Sequence, residues 1–323
     1  MASCGSVDTE GSLKWRSGPP IRTMIGCPKV SISFHKIKIA GQISDLLQSC
    51  RRSLRPPHGH FPPGSDMSQI PVIVHENSSI DWPPAATVEN SRSWSEWVLV
   101  CEHASCHIPA EYDRLGLAVG AESDHIGWDI GAADLTRAMA RRLDSTAILA
   151  NYSRLLIDLN RPLAAESSIP TRSEETEIPG NALLDDPERT RRVERMFTPF
   201  HRTVADFLDR RRAEGRKTRL LTVHSFTPVY LGEARPWHLG ILAGASRGLA
   251  AIFLKEVAAE APGLSLALDE PYRIAEDDDY AIPVHGDARG LDALLIEVRN
   301  DQLRSTAAVE EWAGRLCAAL GRI

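Results

Sequence analysis

Four segments of this sequence place chemically capable residues directly after an apolar run. Val98-Leu99-Val100-Cys101 leads into Glu102-His103-Ala104-Ser105, and Leu155-Leu156-Ile157 into Asp158-Leu159-Asn160-Arg161. Leu220-Leu221-Thr222-Val223 leads into His224-Ser225-Phe226, and Leu294-Leu295-Ile296 into Glu297-Val298-Arg299-Asn300-Asp301. Apolar runs of this length read as buried strands, and open α/β sheets bind ligands beyond the carboxyl ends of their strands. Two histidines and several carboxylates brought to one sheet edge suit a divalent metal, zinc above all. Catalytic zinc takes three protein ligands and keeps a further position for water. His103 and His224 are the candidate ligands. Either histidine alone would more readily be explained as a strand cap or a core hydrogen-bonding group; their parallel placement is what favours metal.

The third ligand is a choice between Asp129 and Glu102. Asp129 lies in His125-Ile126-Gly127-Trp128-Asp129-Ile130-Gly131-Ala132, just before a helical stretch, where it would also serve as an N-cap. Adjacent strand residues point to opposite faces, so Glu102 and His103 are not expected to converge, and Asp129 is preferred. Glu297 fits a general base that takes a proton from water and later protonates a leaving amine. Its competing role is a salt bridge to Arg299.

These groups need a scaffold that brings strand ends together. From about residue 94 strand-like runs alternate with helical ones, which predicts an α/β layered fold built on a largely parallel sheet. Strands are expected at Trp97–Cys101, Thr146–Asn151, Leu155–Asp158, Leu220–His224, His238–Ala243 and Ala293–Val298. Helices are expected at Ala132–Leu143, at Glu188–Arg212 with an interruption near Pro199, at Arg247–Glu260 and at Ala307–Leu320. In the second helix Val193, Met196, Phe197, Phe200, Val204, Phe207 and Leu208 fall at three- and four-residue steps, the spacing of one buried face. The stretch 164–181, rich in Ser, Thr, Glu, Pro and Gly, reads as a long loop of the kind that often covers a site.

Composition narrows the function classes. With 43% hydrophobic and 25% charged residues over 323 positions, the chain can bury a full-sized core. Its apolar runs are far short of the roughly 20 residues that a membrane helix needs. Net charge is −6, with nine Lys/Arg against four Asp/Glu in residues 1–66 (+5), leaving 28 − 39 = −11 for the remainder. An acidic body gives no electrostatic basis for binding nucleic acid, so the expected partner is a small molecule. Arg210, Arg211 and Arg212 read as a solvated helix face. The six cysteines lack zinc-ribbon spacing and disulfide-scaffold density, which fits a reducing cytoplasm.

Residues 1–66 lack sustained periodicity and end in the turn-rich Arg55-Pro56-Pro57-His58-Gly59-His60-Phe61-Pro62-Pro63-Gly64. They are expected to be a non-packing extension, with no apolar stretch and cleavage site of a secretory signal. Met67 reads as the start of a single domain spanning 67–323, its core at about 95–320.

Taken in order, Glu102-His103-Ala104-Ser105, Asp129-Ile130-Gly131-Ala132, Ser153-Arg154-Leu155-Leu156-Ile157-Asp158-Leu159-Asn160-Arg161-Pro162, His224-Ser225-Phe226 and Glu297-Val298-Arg299-Asn300-Asp301 resemble the N-formylglutamate amidohydrolase family. That family looks related to zinc carboxypeptidases and to the aspartoacylase and succinylglutamate desuccinylase group. The resemblance implies a three-layer αβα fold, an eight-stranded mixed sheet of the zinc-exopeptidase type between helical layers. It implies zinc on His103 and His224, with Glu297 as base, and hydrolysis of an N-acyl amino acid, N-formyl-L-glutamate being the type substrate. It also implies that Asn160 and Arg161 hold the substrate carboxylate, for which a guanidinium fork has matching bidentate geometry. Arg154 is a second such candidate, with one of Arg154 and Arg161 expected to pair with Asp158. The sequence departs from the carboxypeptidase pattern His-x-x-Glu, since Cys106 stands three residues after His103. That departure opens a rival in which Cys106 or Ser105 is a nucleophile, but no acidic orienting partner is evident. Tyr272 and His285 lie on loops before the Glu297 strand and are further candidate substrate-binding residues. Tyr280 and Glu276-Asp277-Asp278-Asp279 read as surface loop.

Overall fold

The computed structural model describes residues 81–323, so the expectations for residues 1–66 and for a start at Met67 lie outside the described residues. A seven-stranded mixed sheet organises the chain. Its strands are β1 (Ala86–Glu89), β2 (Trp97–Cys101), β3 (Thr146–Ala150), β4 (Arg219–Phe226), β5 (Leu239–Leu242), β6 (Leu266–Leu268) and β7 (Asp292–Arg299). They lie in the order β1-β3-β2-β4-β7-β5-β6. The four central strands β3, β2, β4 and β7 are mutually parallel. At one edge β1 runs antiparallel to β3; at the other, β5 runs antiparallel to β7 and pairs in parallel with β6.

Near-continuous burial of the central strands follows from helices and loops covering both faces, as parallel sheets require. Side chains still alternate between two cores. Leu99, Leu221, Val223, Leu294 and Ile296 point into one, with Leu135, Met139, Phe253 and Trp312 from the helices α1 (Ala132–Leu143), α4 (Arg247–Glu260) and α5 (Thr306–Leu320). Val98, Val100, Leu220, Ala293 and Leu295 point into the other, with Met196, Phe200, Val204 and Phe207. The last three lie on α3 (Thr198–Ala213), which follows α2 (Asp186–Arg192) and the π-helical turn Val193–Phe197. The expected three-layer α/β architecture is therefore present. No helix among the described residues is long and apolar enough to cross a membrane.

Several expectations need correction. The sheet has seven strands among the described residues, not eight, and includes the short edge strands β1 and β6 that periodicity did not reveal. The interruption expected near Pro199 is the π turn just before it; a widened turn relieves the clash between a proline ring and the carbonyl four residues back. Leu155–Asp158 is not a strand but a run of turns. Leu155, Leu156 and Ile157 are fully buried there, yet no strand pairs with them. The first two carbonyls are satisfied by side chains: Asn181 Nδ2 donates to Leu155 O at 2.8 Å, and Arg192 Nη1 to Leu156 O at 2.9 Å. Arg211 is not solvated. It lies buried between α3 and the chain before β2, donating to the carbonyls of Ser93, Ser95 and Lys217.

Candidate functional site

At the carboxyl ends of the parallel strands a cavity of about 370 Å³ opens, a size suited to a small molecule. His103, Asp129, His224 and Glu297 are all on its wall. His103 follows β2 directly, while His224 and Glu297 are register partners on the neighbouring parallel strands β4 and β7. Asp129 comes from the turn before α1. Its N–H donates to His103 O at 3.0 Å, and the turn continues through Gly131 at φ 83°, where a Cβ would lie 2.5 Å from that of Leu303. Only glycine allows both that conformation and that approach.

Asp129 is therefore not the side-chain N-cap of α1; the cap position is Gly131. Its Oδ2 lies 2.8 Å from His224 Nδ1, 3.4 Å from His103 Nδ1, and accepts from the Ser225 N–H at 3.2 Å. The two imidazoles meet edge to face with ring centroids 4.9 Å apart. Ligating atoms of His103, Asp129 and His224 all lie within 4.8 Å of one another, so this trio could hold a metal ion.

Each histidine has its other nitrogen against a carboxylate. His103 Nε2 donates to Asp158 Oδ1 at 2.7 Å, which puts Nδ1 on the side of Asp129. His224 Nε2 stands 3.0 Å from Glu102 Oε2, close enough for charge attraction though not aligned as a hydrogen bond. Carboxylates behind imidazoles in this way fix ring orientation and raise ligand basicity. Glu102, the competing third ligand, therefore lies behind His224 rather than beside His103 Nδ1.

The electrostatics also suit a cation. Glu102, Asp129, Asp158 and Glu297 are all buried, while the guanidinium of Arg154 is the permanent positive charge among them. Burial works to raise the Asp129 pKa, but the imidazoles of His103 and His224 hold it well below the usual carboxylate range. Burial likewise acts on Asp158, and Arg154 together with His103 outweighs it and pulls the carboxyl well down. Desolvation pushes Glu297 up to about 7, with His224 pulling the other way and Asp129 reinforcing the rise. Glu297 Oε2 and His103 Nδ1 are buried without a hydrogen-bond partner. Unsatisfied buried atoms are few in native proteins, and here they converge where an ion and a reacting group would sit.

The proposed salt bridge of Glu297 to Arg299 is absent; Arg299 instead pairs with Asp301 at 2.8 Å. Of the candidate substrate residues, Arg154, Asn160, Arg161 and Tyr272 line the cavity. It is Arg154 that pairs with Asp158, at 2.7 Å, while Arg161 pairs with Asp278 at 2.7 Å. The Asn160 side chain is committed to its own scaffold, its Oδ1 accepting from Ala281 N at 2.9 Å. His285 is not brought to the cavity. It is buried against His201, ring nitrogens 2.9 Å apart. Neither Ser105 nor Cys106 lines the cavity.

Other wall residues were not singled out from sequence. Asp278 and Asp279, read as surface loop, reach the cavity, and Tyr280 packs on Phe197 and His201. The 164–181 loop folds a small hairpin, Arg172–Ser173 with Thr176–Glu177, whose tip residue Glu174 meets His125 Nε2 at 2.5 Å across the cavity wall. The pairing of Asp158 with one of Arg154 and Arg161 was expected; nothing local marks His125 with Glu174.

A family model described as N-formylglutamate amidohydrolase matches residues 95–304. Two curated proteins named N-formylglutamate deformylase are similar, one from Pseudomonas aeruginosa at 32% identity over 149 residues and one from Pseudomonas putida at 30% over 152. Each match takes in 42% of this chain and 56% of the relative, so the chain spans about half the length of the curated relatives it matches. Among solved structures, a gene product of Agrobacterium tumefaciens is 36% identical with a TM-score of 0.71, covering 74% of this chain and 94% of that one. An N-formylglutamate amidohydrolase from Ralstonia eutropha, 17% identical over 74% of this chain and 98% of its own, shares the fold with a TM-score of 0.55.

Proposed function

The chain belongs to the N-formylglutamate amidohydrolase family, and from that membership and the cavity we propose that it hydrolyses N-formyl-L-glutamate to formate and L-glutamate with a divalent metal. The observation that carries this reading is the convergence of His103, Asp129 and His224 on one point beside the unpartnered carboxylate of Glu297. Two imidazoles and a carboxylate suit zinc, and these three residues would hold it. When bound, the ion supplies Lewis acidity to the amide carbonyl and makes water a stronger acid.

The chain's own groups supply the remainder. Glu297 accepts a proton from the attacking water and returns it to the amide nitrogen as the C–N bond breaks, which releases formate and the free amine. A carboxyl raised toward neutrality by burial is matched to both halves of that transfer. Asp158 and Glu102 hold the two imidazoles in register. Arg161 faces the substrate's α-carboxylate: its partner Asp278 is more than half exposed, so a substrate carboxylate competes with it for the guanidinium. Tyr272 lines the wall and Asn160 carries Arg161 into position.

A panel of N-formyl, N-acetyl and N-succinyl amino acids, assayed with zinc and with chelator, tests the reading. N-formylglutamate is expected to be cleaved best, with chelator abolishing turnover. Glu297→Gln should lower kcat by roughly 10²- to 10⁴-fold while metal content is kept, and His224→Ala should lose both. Turnover retained in either variant, or a clear preference for another acyl group, rejects it.

A further inference from the structure

Four arginines line the cavity, and three of them are engaged. Arg154 pairs with Asp158, Arg161 with Asp278, and Arg172 with Glu175 and Glu177. Arg273 is exposed on the cavity wall and has neither an ion pair nor a hydrogen bond from its side chain among the described residues. Its backbone, by contrast, is carried by a fixed segment. Asp269 N donates to Ile241 O on β5 at 3.0 Å. Gly240 passes so close beneath Glu270 that a Cβ there would lie 1.7 Å from the Glu270 carbonyl oxygen. Tyr272 is held by Arg235, which donates to its hydroxyl at 2.9 Å and places its guanidinium 5.0 Å from the ring centre. A fixed backbone thus presents one uncommitted guanidinium to the cavity.

Depth decides what that guanidinium would meet. Glu297, His103 and His224 are buried on the floor, so the scissile amide of any substrate must reach down to them. The atoms farthest from the amide then lie toward the exposed part of the wall, where Arg273 stands. We propose that Arg273 is a specificity-determining residue that takes a carboxylate at the far end of the substrate side chain, and so selects acidic over neutral amino acids. This rests on the reading of the cavity as an N-acyl amino acid site. A guanidinium recognises a carboxylate through two parallel charge-assisted bonds, which an uncharged amide of the same shape cannot reproduce.

The test compares N-formyl-L-glutamate with its neutral isostere N-formyl-L-glutamine on the zinc-loaded full chain, wild type and Arg273→Gln. The variant should lose about ten- to a hundredfold in kcat/KM on the acidic substrate, mostly through KM, and stay within about threefold on the neutral one. An unchanged preference, or an equal loss on both substrates, overturns the proposal. Calorimetric binding of glutarate separates this outcome from failure of the functional reading. If the wild type cleaves neither substrate that reading falls, while glutarate binding that weakens at least tenfold in Arg273→Gln still supports the role of Arg273. Equal binding by both proteins, or no binding by the wild type, overturns it.

Discussion

Acid should destabilise this protein through a histidine pair away from the cavity. His285, in the π-helical turn Ala281–Gly286, and His201 on α3 are both buried, with His201 Nδ1 and His285 Nε2 2.9 Å apart. One proton serves that contact; the outer nitrogens, His201 Nε2 and His285 Nδ1, have no partner to stabilise a second. Desolvation pushes His285 down to about 4 and the charge of Arg289 adds to this, against smaller opposing pulls from Glu102 and Asp209. Burial, with His285 beside it, also takes His201 well below its usual range. Because the folded state resists protonation, the stabilisation is complete above the unfolded histidine value of about 6.5 and is lost as pH falls from there toward 4. For His285 alone the full effect is about 3 kcal/mol, of which about 2 kcal/mol is gone by pH 5. In a domain of this size that is a fall of about 4–8 °C in melting temperature. The assay is thermal unfolding between pH 7.5 and 5 for the wild type, His285→Gln and His201→Gln. The wild type should lose about 2 kcal/mol more than either variant over that range. Parallel loss in all three would refute the assignment.

Five further substitutions test the same structure. Asp158→Asn and Glu102→Gln act behind the proposed ligands, so each should weaken zinc binding about 10- to 100-fold in a competition titration, whereas Asp129→Asn should abolish it. Equal loss in Glu102→Gln and Asp129→Asn would mean that the ligand and the supporting carboxylate are wrongly assigned. Arg211→Met strips the donor from the buried carbonyls of Ser93, Ser95 and Lys217 and should cost about 1–3 kcal/mol by denaturant unfolding, with kcat unchanged in the folded fraction. Gly131→Ala forces a methyl against Leu303 at a left-handed backbone position, so it should lower both the melting temperature and metal affinity by displacing Asp129.

How far the sequence reaches depends on whether a pattern reports burial or a partner. Ala132–Leu143 and Arg247–Glu260 were legible to the residue because a helical face is a local periodicity. The strands β1 and β6, with four and three residues at the sheet edges and none of them fully buried, carry too little pattern to be seen. Leu155–Ile157 misled because an apolar run records only that side chains are buried; the Asn181 and Arg192 side chains that replace a strand partner there come from 26 and 36 residues away. Arg211 was misread although its signal was present: Val204, Phe207, Leu208 and Arg211 continue one series of three- and four-residue steps, which already placed the arginine on the buried face. The convergence of His103, Asp129 and His224 was legible because strand ends and turns of an α/β sheet share one edge. The wall that faces them was not, since His125 and Glu174, and Arg161 and Asp278, meet across 49 and 117 residues of chain.

The Arg154–Asp158–His103 chain explains why substrate anchoring has to come from elsewhere. Asp158 spends one oxygen on His103 Nε2 and on the Asn160 N–H, and the other on Nε and Nη2 of Arg154. Removing Arg154 from that carboxylate would leave a buried negative charge facing the imidazole with one positive partner fewer, and breaking such a pair costs several kcal/mol. A substrate carboxylate that drew Arg154 away would therefore loosen the proposed metal ligand His103 at the moment it is needed. Arg154 gains more by staying in place, where it offsets the charge of Asp129 at 3.4 Å as well. The more readily available cations are those whose partners are exposed or absent, Arg161 and Arg273. On the proposed reading, fixing His103 and gripping the substrate are divided between arginines at different depths of one cavity, and substitutions at the two depths should separate in kinetics: loss of metal-dependent turnover at Arg154, loss of substrate affinity at Arg161 and Arg273.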